Sequence, residues 1–565
     1  MNFKIKNILF AAATLMLTSC NDVFEDLAVN PLQPSMDTYF STPEAVNEAV
    51  MTCYGYIQTQ RCFGASASKT MIIRSDEASS NADYGKPGMY GSFLNSSYYV
   101  IMQPFGLLYS VASQATFVIE QIDNVTFQDQ KLKKAYLGEA YFWRAFANFY
   151  LLTNYRNVSL IKHTPVGQEN YVRPVSDYEE VWDFIAQDLE RAKENLPEKG
   201  YWKGNRSGRV TAGAAAALRG KAFLYRSGIE PLYGSSTKTY YSEAAAEFDQ
   251  IIRGDFGRYS LVEYSQNFDV AHENNDESVL ELQFKGDVEN AAFNPAMATS
   301  GLAFDTRGIM LPGTGVGYEG VVHDWLYDTF VASVDKDGYT DIRMFSTMFF
   351  NDLDPAIKLR TGQRLTGPGG YHFEDMYPQK DFSTAANTRT HLYKAAFLKG
   401  MDLSLEMRNK TPTSITGVGA GTKENIYNQP RAHGVNMRYI RYADVLLMYA
   451  EAVLNGGQAG TITAQDAFDQ VRDRANMPKI GVTLDMVKQE RVLELALEGH
   501  RFYDLLRWGE LNQRFKELER SDPNFKRLIS DTDFEGFTQN KHEWLPIPID
   551  EMESNPYAKQ NSPLY

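Results

Sequence analysis

Apolar side chains recur every three or four residues through most of the first half of this 565-residue chain, and again in its last third. That spacing places them on one face of an α-helix, which must be buried against a partner. Thr42 followed by Pro43 predicts the start of a first helix, with Thr42 as its N-cap. Further helices are predicted over residues 102–123, 131–154, 177–196, 209–228 and 241–253. The pattern therefore predicts a mainly α fold.

Several of these segments carry the side-chain pattern of tetratricopeptide repeats. A small alanine lets two helices approach, and a phenylalanine four residues later fills the groove between them. The matching residues are Leu137, Gly138 and Tyr141 in a first helix, and Ala244, Phe248, Ile251 and Ala464, Phe468, Val471 in two second helices. We expect an irregular scaffold of this type, with generic antiparallel helix pairs as the alternative.

The last third of the chain predicts one long amphipathic helix over residues 486–509. Its apolar face would comprise Val492, Leu495, Gly499, Phe502 and Leu506. Tryptophans within helical patterns are core residues by default, because their large side chains bury much apolar surface. This expectation applies to Trp143, Trp182 and Trp508.

The middle of the chain, residues 255–435, is rich in Gly, Asn, Asp, Pro and Thr and has few periodic runs. Residues 279–284 alternate like a short strand. Glycine-dense segments cover residues 311–320, 362–371 and 411–423. Long irregular loops on a rigid scaffold often bind ligands. We therefore expect a few short strands and a loop-rich, ligand-binding face.

The N-terminus has the organisation of an export signal. Lys4 and Lys6 precede an apolar run, residues 8–17, that is too short to cross a bilayer core. The run ends in Leu-Thr-Ser-Cys at Cys20, which matches the lipobox of bacterial lipoproteins. We predict a signal peptide over residues 1–19 and acylation of Cys20, with an ordinary signal peptide as the alternative. The remainder is then soluble and tethered to a membrane by lipid.

Charge and cysteine content limit the classes of ligand and metal site that this protein can have. The net charge of −15 argues against nucleic acid as a partner and disfavours polyanionic ligands. Besides Cys20 the chain has Cys53 and Cys62, too few for a zinc cluster. Export would permit a disulfide between these two, and two free thiols are an equal alternative.

Catalytic and cofactor motifs are missing from the sequence. It contains no His-Glu-x-x-His and no Gly-x-Ser-x-Gly, and the run of glycines from Gly313 lacks the strand and helix of a dinucleotide site. We predict no cofactor. Asp335, Asp337 and Asp341 have calcium-like spacing, although the glycine position differs from an EF-hand. A solvated turn and a structural calcium site both remain open there.

An ordered set of motifs over nearly the whole mature chain resembles the SusD/RagB family. The stretches are Gly138-Glu139-Ala140 with Arg144-Ala145, Asp188-Leu189, Gly208-Arg209-Val210, residues 441–452, residues 471–475, Glu490-Arg491, residues 498–508, Leu545-Pro546-Ile547-Pro548 and Asn555-Pro556. The resemblance implies a helical scaffold with four tetratricopeptide-type units and a loop-rich face that binds ligand. It implies a partner, a SusC-like TonB-dependent barrel, and no catalysis. We therefore expect residues 20–565 to form a single module with parts at 20–235, 236–435 and 436–565.

The charged residues in these motifs are better suited to a scaffold than to ligand contact. Glu498 and Arg501 are three residues apart, as are Asp504 and Arg507, which is the spacing of ion pairs along a helix. We expect them to stabilise the fold, with docking of a partner as the alternative.

Ligand contacts in the family come mainly from the segment after the first helix and from the irregular middle, so no residue transfers by motif. Aromatic rings suit the C–H faces of sugars, and polar side chains bind their hydroxyls. The candidates are Asp76, Asn81, Tyr84, Tyr90 and Tyr98 in the first segment, and Tyr318, Trp325, Arg364 and Tyr371 in the middle. For each of them packing in the core or a loop is the alternative, and the Trp325 indole is a candidate for burial.

The leading hypothesis is a lipid-anchored outer-membrane protein that binds glycan outside the cell and delivers it to a SusC-like transporter. The high aromatic content, 13%, favours glycan, whereas the acidic charge would also permit a basic peptide. Three further hypotheses are a peptide-binding uptake lipoprotein of the same family, a surface glycoside hydrolase, and a lid with little affinity of its own.

Overall fold

The computed structural model describes residues 40–80, 94–165, 172–284, 304–305, 311, 320–382, 393–401, 403, 432–522 and 536–565. The first seven helices within these ranges are α1 Pro43–Gln58, α2 Ser66–Ile73, α3 Tyr99–Gln121, α4 Gln130–Tyr155, α5 Tyr178–Asn195, α6 Ala212–Tyr233 and α7 Tyr241–Arg253. The Thr42 side chain accepts a hydrogen bond from the Ala45 N–H, which confirms the predicted N-cap. The mainly α prediction is confirmed.

The second half of the chain adds nine described helices, several of them a single turn. They are α8 Asp324–Ala332, α9 Met344–Thr347, α10 Phe373–Met376, α11 Tyr442–Leu454, α12 Ala464–Arg474, α13 Leu484–Leu495, α14 Arg501–Trp508, α15 Leu511–Ser521 and α16 Ile549–Ser554. No helix in the described ranges has the length and apolar character needed to cross a membrane.

The long helices pack in chain order, each against the one before it. Helix α3 packs on α1, α4 on α3, α5 on α4, α6 on α5 and α7 on α6, and the series continues through α11 to α12. Each helix thus buries one face on either neighbour, as in a tetratricopeptide-type scaffold. The pairs α1–α3, α4–α5, α6–α7 and α11–α12 match the four units that the resemblance implies.

Small residues set the closest helix contacts. A Cβ on Gly220 of α6 would lie 2.6 Å from Cε1 of Phe248 on α7, so the phenylalanine ring occupies the space that glycine leaves. Ala244 and Phe248 are completely buried, as the repeat pattern predicts. A Cβ on Gly138 of α4 would lie 2.8 Å from Cγ of Leu196, at the end of α5. These glycines permit approaches that any other residue would prevent.

The predicted helix over residues 486–509 is wrong as a single element. Helix α13 ends at Leu495, and α14 begins at Arg501. Between them Leu497 has φ +62° and Gly499 has φ +82°, conformations that no α-helix contains. The Leu497 N–H donates to Oε1 of Glu77 at 3.3 Å, and Gly499 lies against Met71 of α2. Tertiary contacts therefore redirect the chain where the local pattern continues.

The described ranges contain eight short strands: β1 Ala78–Ser80, β2 Ser278–Leu282, β3 Phe304–Asp305, β4 Gly320–Val322, β5 Met348–Phe350, β6 Ala395–Phe397, β7 Ala432–His433 and β8 Met437–Arg441. The strand predicted at residues 279–284 corresponds to β2. An antiparallel sheet has the order β1-β4-β6-β5, and β2–β8 and β3–β7 form separate pairs. The strands pair segments that lie far apart in the sequence.

The core decides the state of the two cysteines and tests the expected burial of three tryptophans. Cys53 and Cys62 are free thiols, both buried, and burial raises the pKa of Cys62 to about 12. Trp143 and Trp182 are buried as predicted. Trp508 is only half-buried, which differs from the expectation, and its indole N–H donates to Oε1 of the buried Glu451 at 2.9 Å. The division of the module into three parts stays a prediction.

Candidate functional site

The ends of three strands meet at one edge of the four-stranded sheet, which we call the loop-bearing edge. Ser80 at the end of β1 pairs with Gly320 at the start of β4. Strand β6 runs antiparallel to β4, with Ala396 opposite Val321, so Phe397 ends at the same edge. Residues 81–93 continue from Ser80, and residues 312–319 lead into Gly320. The candidates Asn81, Tyr84, Tyr90 and Tyr318 belong to these two segments and lie outside the described residues.

Asp76 and its neighbours attach β1 firmly to the scaffold. The Asp76 carboxylate pairs with Arg501 at 2.9 Å and with Arg514 at 2.5 Å, and its carbonyl accepts a hydrogen bond from His323 Nδ1 at 2.8 Å. The His323 backbone N–H donates to the Glu77 carbonyl at 2.9 Å. Asp76 is fully buried, so these contacts give it a structural position beneath the loop-bearing edge.

We call the group formed by Asp76, Glu77, His323, Arg501 and Arg514 the anchor. Its two adjacent carboxyl groups have opposite electrostatic environments. Burial alone would raise the pKa of Asp76, but the Arg501 and Arg514 guanidiniums outweigh it and lower the pKa to about 2. Burial, followed by the negative charge of Asp76, raises the pKa of Glu77 to about 8. At neutral pH the anchor therefore combines an ionised Asp76 with a largely protonated Glu77.

Trp325 belongs to the same anchor. Its indole N–H donates to the Asp76 carbonyl at 2.5 Å, and the guanidinium carbon of Arg514 lies 4.3 Å from its ring centroid. The ring is half-buried, so part of its surface is accessible. The half-buried candidate Tyr98 directly precedes α3, with its ring 5.2 Å from that of Tyr99 in a T-shaped arrangement. Tyr99 is 43% exposed and was not among the candidates chosen from the sequence.

Arg364 and Tyr371 lie in another part of the loop-rich region. Arg364 Nε donates to Asp352 Oδ2 at 3.0 Å, and the same guanidinium pairs with Glu374. These hydrogen bonds to Asp352 and Glu374 raise the pKa of Arg364. Tyr371 is half-buried against the core. Arg364 is thus bound to carboxylates of its own region rather than to the anchor around Asp76.

The aspartates with calcium-like spacing form hydrogen bonds and ion pairs within the protein. Asp335 Oδ1 accepts the N–H groups of Asp337 and Tyr339, both at 2.9 Å. Asp341 pairs with Arg343 at 2.7 Å. Residues 336–338 form an exposed turn, as predicted, whereas Asp335 and Asp341 on either side of that turn are buried. The described residues contain no group of three or more His, Cys, Asp or Glu side chains placed to bind one metal ion.

A buried ionic network lies beneath the loop-rich face and stabilises it. Arg441 donates to Glu277, Glu494 and Glu498, and Lys399 pairs with Glu498 at 2.9 Å. All five side chains are at most 8% exposed, which confirms the scaffold interpretation of the motif residues among them. The predicted Glu498–Arg501 pair is wrong, because the turn before α14 directs Arg501 toward Asp76. The other predicted pair, Asp504–Arg507, is confirmed at 2.8 Å.

A small pocket separates this network from the loop-bearing edge. Its cavity of about 70 Å³ is lined by residues that include Ser68, Ile72, Phe397, Lys399 and Arg438. A volume of this size holds a few water molecules, whereas ligand pockets usually measure roughly 300–1,000 Å³. The described residues thus form the base of the face rather than a complete binding pocket.

We expect acid to destabilise the fold through a second buried cluster, in which His500 Nδ1 lies 3.1 Å from Lys221 Nζ. Burial, followed by the charge of Lys221, lowers the pKa of His500 to about 4. The unfolded chain binds this proton below about pH 6.5, the folded chain only below about pH 4. Stability should therefore fall by up to about 3 kcal/mol between pH 6.5 and pH 4. Denaturant unfolding across this range should show a shallower pH slope for His500→Asn.

The matched control is His163→Asn, because the His163 side chain is 88% exposed. It should keep the slope of the unaltered protein. An unchanged slope in His500→Asn would contradict the assignment.

Comparison with known protein families gives matches along most of the chain. The SusD family matches residues 277–565, and a family described as starch-binding associating with outer membrane matches residues 29–224. A SusD-like protein of Bacteroides ovatus is 25% identical over 516 residues, covering 89% of this chain and 82% of the relative. SusD-like protein P2 of Formosa agariphila is 24% identical over 584 residues and covers 99% of both chains.

Solved structures share the fold at lower identity. A SusD superfamily protein from Bacteroides vulgatus has a TM-score of 0.69 and 22% identity, covering 92% of this chain and 98% of its own. Surface glycan-binding protein A from Bacteroides thetaiotaomicron, in complex with laminarihexaose, has a TM-score of 0.65 and 18% identity, covering 92% of this chain and all of its own. The family match over the C-terminal half, the motifs and the shared helical scaffold lead to one conclusion: this chain belongs to the SusD/RagB family.

Proposed function

We propose that this protein binds glycan at the cell surface and delivers it to a SusC-like TonB-dependent transporter. The pairing of Ser80 with Gly320 carries the proposal, because it joins two candidate-bearing segments to one rigid edge. The complex of a structural relative with laminarihexaose, and the description of the matching family as starch-binding, support glycan as the ligand class. The acid-rich surface, with a net charge of −15, favours neutral over polyanionic glycans.

The proposal includes a lipid anchor on Cys20 and an orientation toward the cell exterior. The description of association with the outer membrane supports this location. Cys20 itself lies outside the described residues. Mass spectrometry of the membrane-extracted protein should detect acyl chains on Cys20, and Cys20→Ala should release the protein from the membrane.

We propose binding without catalysis. The buried carboxylates described above are engaged by arginine and lysine, which suits a scaffold rather than an acid–base pair across a cleft. Turnover of any glycan by the purified protein, abolished by one carboxylate substitution, would refute this part of the proposal.

Isothermal titration of the protein truncated before residue 21 tests the ligand class. The panel comprises neutral, acidic and host-type glycans and a mixture of basic peptides. We expect saturable binding to a neutral glycan, weakened at least tenfold, or about 1.4 kcal/mol, by Tyr84→Ala or Tyr98→Ala. Loss of ring contact with the sugar face is the physical reason. Binding to peptide alone would replace glycan as the ligand.

Tyr201→Ala is the matched control, because Tyr201 is 42% exposed and lies in the connection between α5 and α6. It should leave the affinity unchanged. Equal losses in all three variants would indicate a general effect on the protein rather than ligand contact by the candidates.

A further inference from the structure

A second, larger cleft lies between α3, the segment after α4 and the C-terminal helix α16. Its volume is about 420 Å³, compared with about 70 Å³ for the pocket near the loop-bearing edge. The two share no lining residue. A volume of this size falls within the usual range of small-molecule sites. The cleft therefore has the room that the described part of the loop-bearing edge lacks.

The sequence of α3 explains why this space is open. Gly106, Ser110 and Ser113 line the cleft along one side of the helix. A Cβ added to Gly106 would meet nothing within 4 Å. A larger side chain would fit at Gly106 and would enter the cleft.

The opposite wall is held in place by hydrogen bonds. The Ile549 N–H donates to the Ser96 carbonyl at 2.9 Å, which fixes the start of α16 beside α3. At the other end of α16, Asn555 Nδ2 donates to the Arg173 carbonyl at 2.8 Å and to Glu551 Oε1 at 2.7 Å. Asn555 is one of the family-motif residues, so part of the motif serves to hold this wall. The cleft is consequently preformed.

The cleft combines apolar surface with polar groups. Phe105 and Tyr109 contribute aromatic rings whose centroids lie 4.9 Å apart in a T-shaped arrangement, and the buried Ile161 adds aliphatic surface. The Tyr109 hydroxyl oxygen accepts the Ser159 N–H at 2.9 Å. Its own proton has no acceptor among the described residues. It is therefore available to donate to a ligand.

Two further polar side chains lining the cleft are unused by the described part of the protein. The Ser113 hydroxyl and the Asp550 carboxylate make no hydrogen bond or ion pair there, whereas Glu551 is engaged by Asn555. Two hydroxyl donors and a carboxylate acceptor beside an apolar surface complement the hydroxyls and C–H faces of a sugar. The cleft is lined by two carboxylates, Asp550 and Glu551, and by one guanidinium, Arg173. The lining therefore has an excess of negative charge, which disfavours an anionic ligand.

We propose that this cleft is a second carbohydrate site, for a short neutral oligosaccharide segment. The ligand class rests on the proposed function, whereas the cleft itself does not. Two sites on one chain would let a polymer bind at two points, which raises its apparent affinity without any new contact. A short oligosaccharide would then bind at two sites per molecule.

Blocking the cleft from α3 tests the proposal. Gly106→Leu should fill part of the cleft without straining the helix, because Leu is a good helix former. Gly55→Leu is the matched control, since Gly55 is also within a helix and its added Cβ also meets nothing within 4 Å. The probes are laminarihexaose, maltohexaose, cellohexaose, xylohexaose and mannohexaose, titrated calorimetrically. Hydrogen exchange over residues 102–113 and 548–555 reports where they bind.

We expect the unaltered protein and Gly55→Leu to bind two molecules of one hexasaccharide, with protection in both ranges. Gly106→Leu should bind one and lose that protection, and Asp550→Ala should weaken the second site at least tenfold. One molecule bound equally by all variants, without protection at these ranges, would overturn the second site and leave the proposed function standing. Binding at the cleft alone would support the second site and remove the loop-bearing edge from the proposed function. No binding to the unaltered protein would overturn both.

Discussion

Replacing Arg441 with methionine is expected to lower the free energy of unfolding by about 3–5 kcal/mol, the usual cost of removing one partner from a buried ion pair. Arg441 is completely buried and donates to the carboxylates of Glu277, Glu494 and Glu498. Burial by itself would raise the pKa of Glu494, but Arg474, Arg441 and Arg343 hold it well below its usual range. Without the Arg441 guanidinium, the remaining cations no longer balance the buried carboxylates.

Denaturant unfolding monitored by circular dichroism measures this loss. The matched control is Arg253→Met, because Arg253 pairs with Asp249 and Asp255 while its side chain is 49% exposed. Exposed pairs contribute little, so the control should leave the free energy of unfolding nearly unchanged. Arg441→Lys keeps the charge without the planar fork and should lie between the two. Equal stability in Arg441→Met and Arg253→Met would contradict the proposed role of the network.

Phe248→Ala is expected to lower the free energy of unfolding by a similar amount, about 3–5 kcal/mol. The ring is completely buried where α7 packs on Gly220 of α6, so truncation leaves a cavity between two scaffold helices. Gly220→Ala changes the same contact on the α6 side, since its Cβ would lie 2.6 Å from the Phe248 ring. That overpacking should cost about 1–3 kcal/mol.

A double-mutant cycle makes this test specific. In the Phe248→Ala background the ring is gone, so Gly220→Ala should lose most of its own cost. Tyr201→Ala serves as the control for removal of an exposed ring and should leave stability nearly unchanged. Additive effects of Gly220→Ala and Phe248→Ala would show that a glycine at position 220 is not needed to accommodate the Phe248 ring.

Local patterns of this sequence determined most of the helical scaffold. The N-cap at Thr42, the predicted helices of the first half and the spacing of Ala244 and Phe248 depend on neighbours within a few positions, so the sequence shows them directly. The free state of Cys53 and Cys62, by contrast, depended on how the fold places the two side chains.

The predicted helix over residues 486–509 shows where local information ends. The apolar periodicity continues through Leu497 and Gly499, yet the chain turns there because Glu77 and Met71 contact it from another part of the fold. That turn brings Arg501 to Asp76, a residue more than 400 positions earlier. Ion-pair partners at such separation have no signature in spacing, since opposite charges are abundant along the chain.

The candidate site residues also depended partly on the sequence and partly on the tertiary structure. Composition and loop content were enough to predict a loop-rich face, and the resemblance to the SusD/RagB family together with residue type led to Trp325 and Asp76 as candidates. Only the tertiary structure decided that Asp76 is buried between two arginines and that the Trp325 indole is bound to its carbonyl. The cleft beside α3 likewise needed the fold, because Gly106 and Asp550 lie far apart in sequence and a cavity is a property of surfaces that only folding brings together.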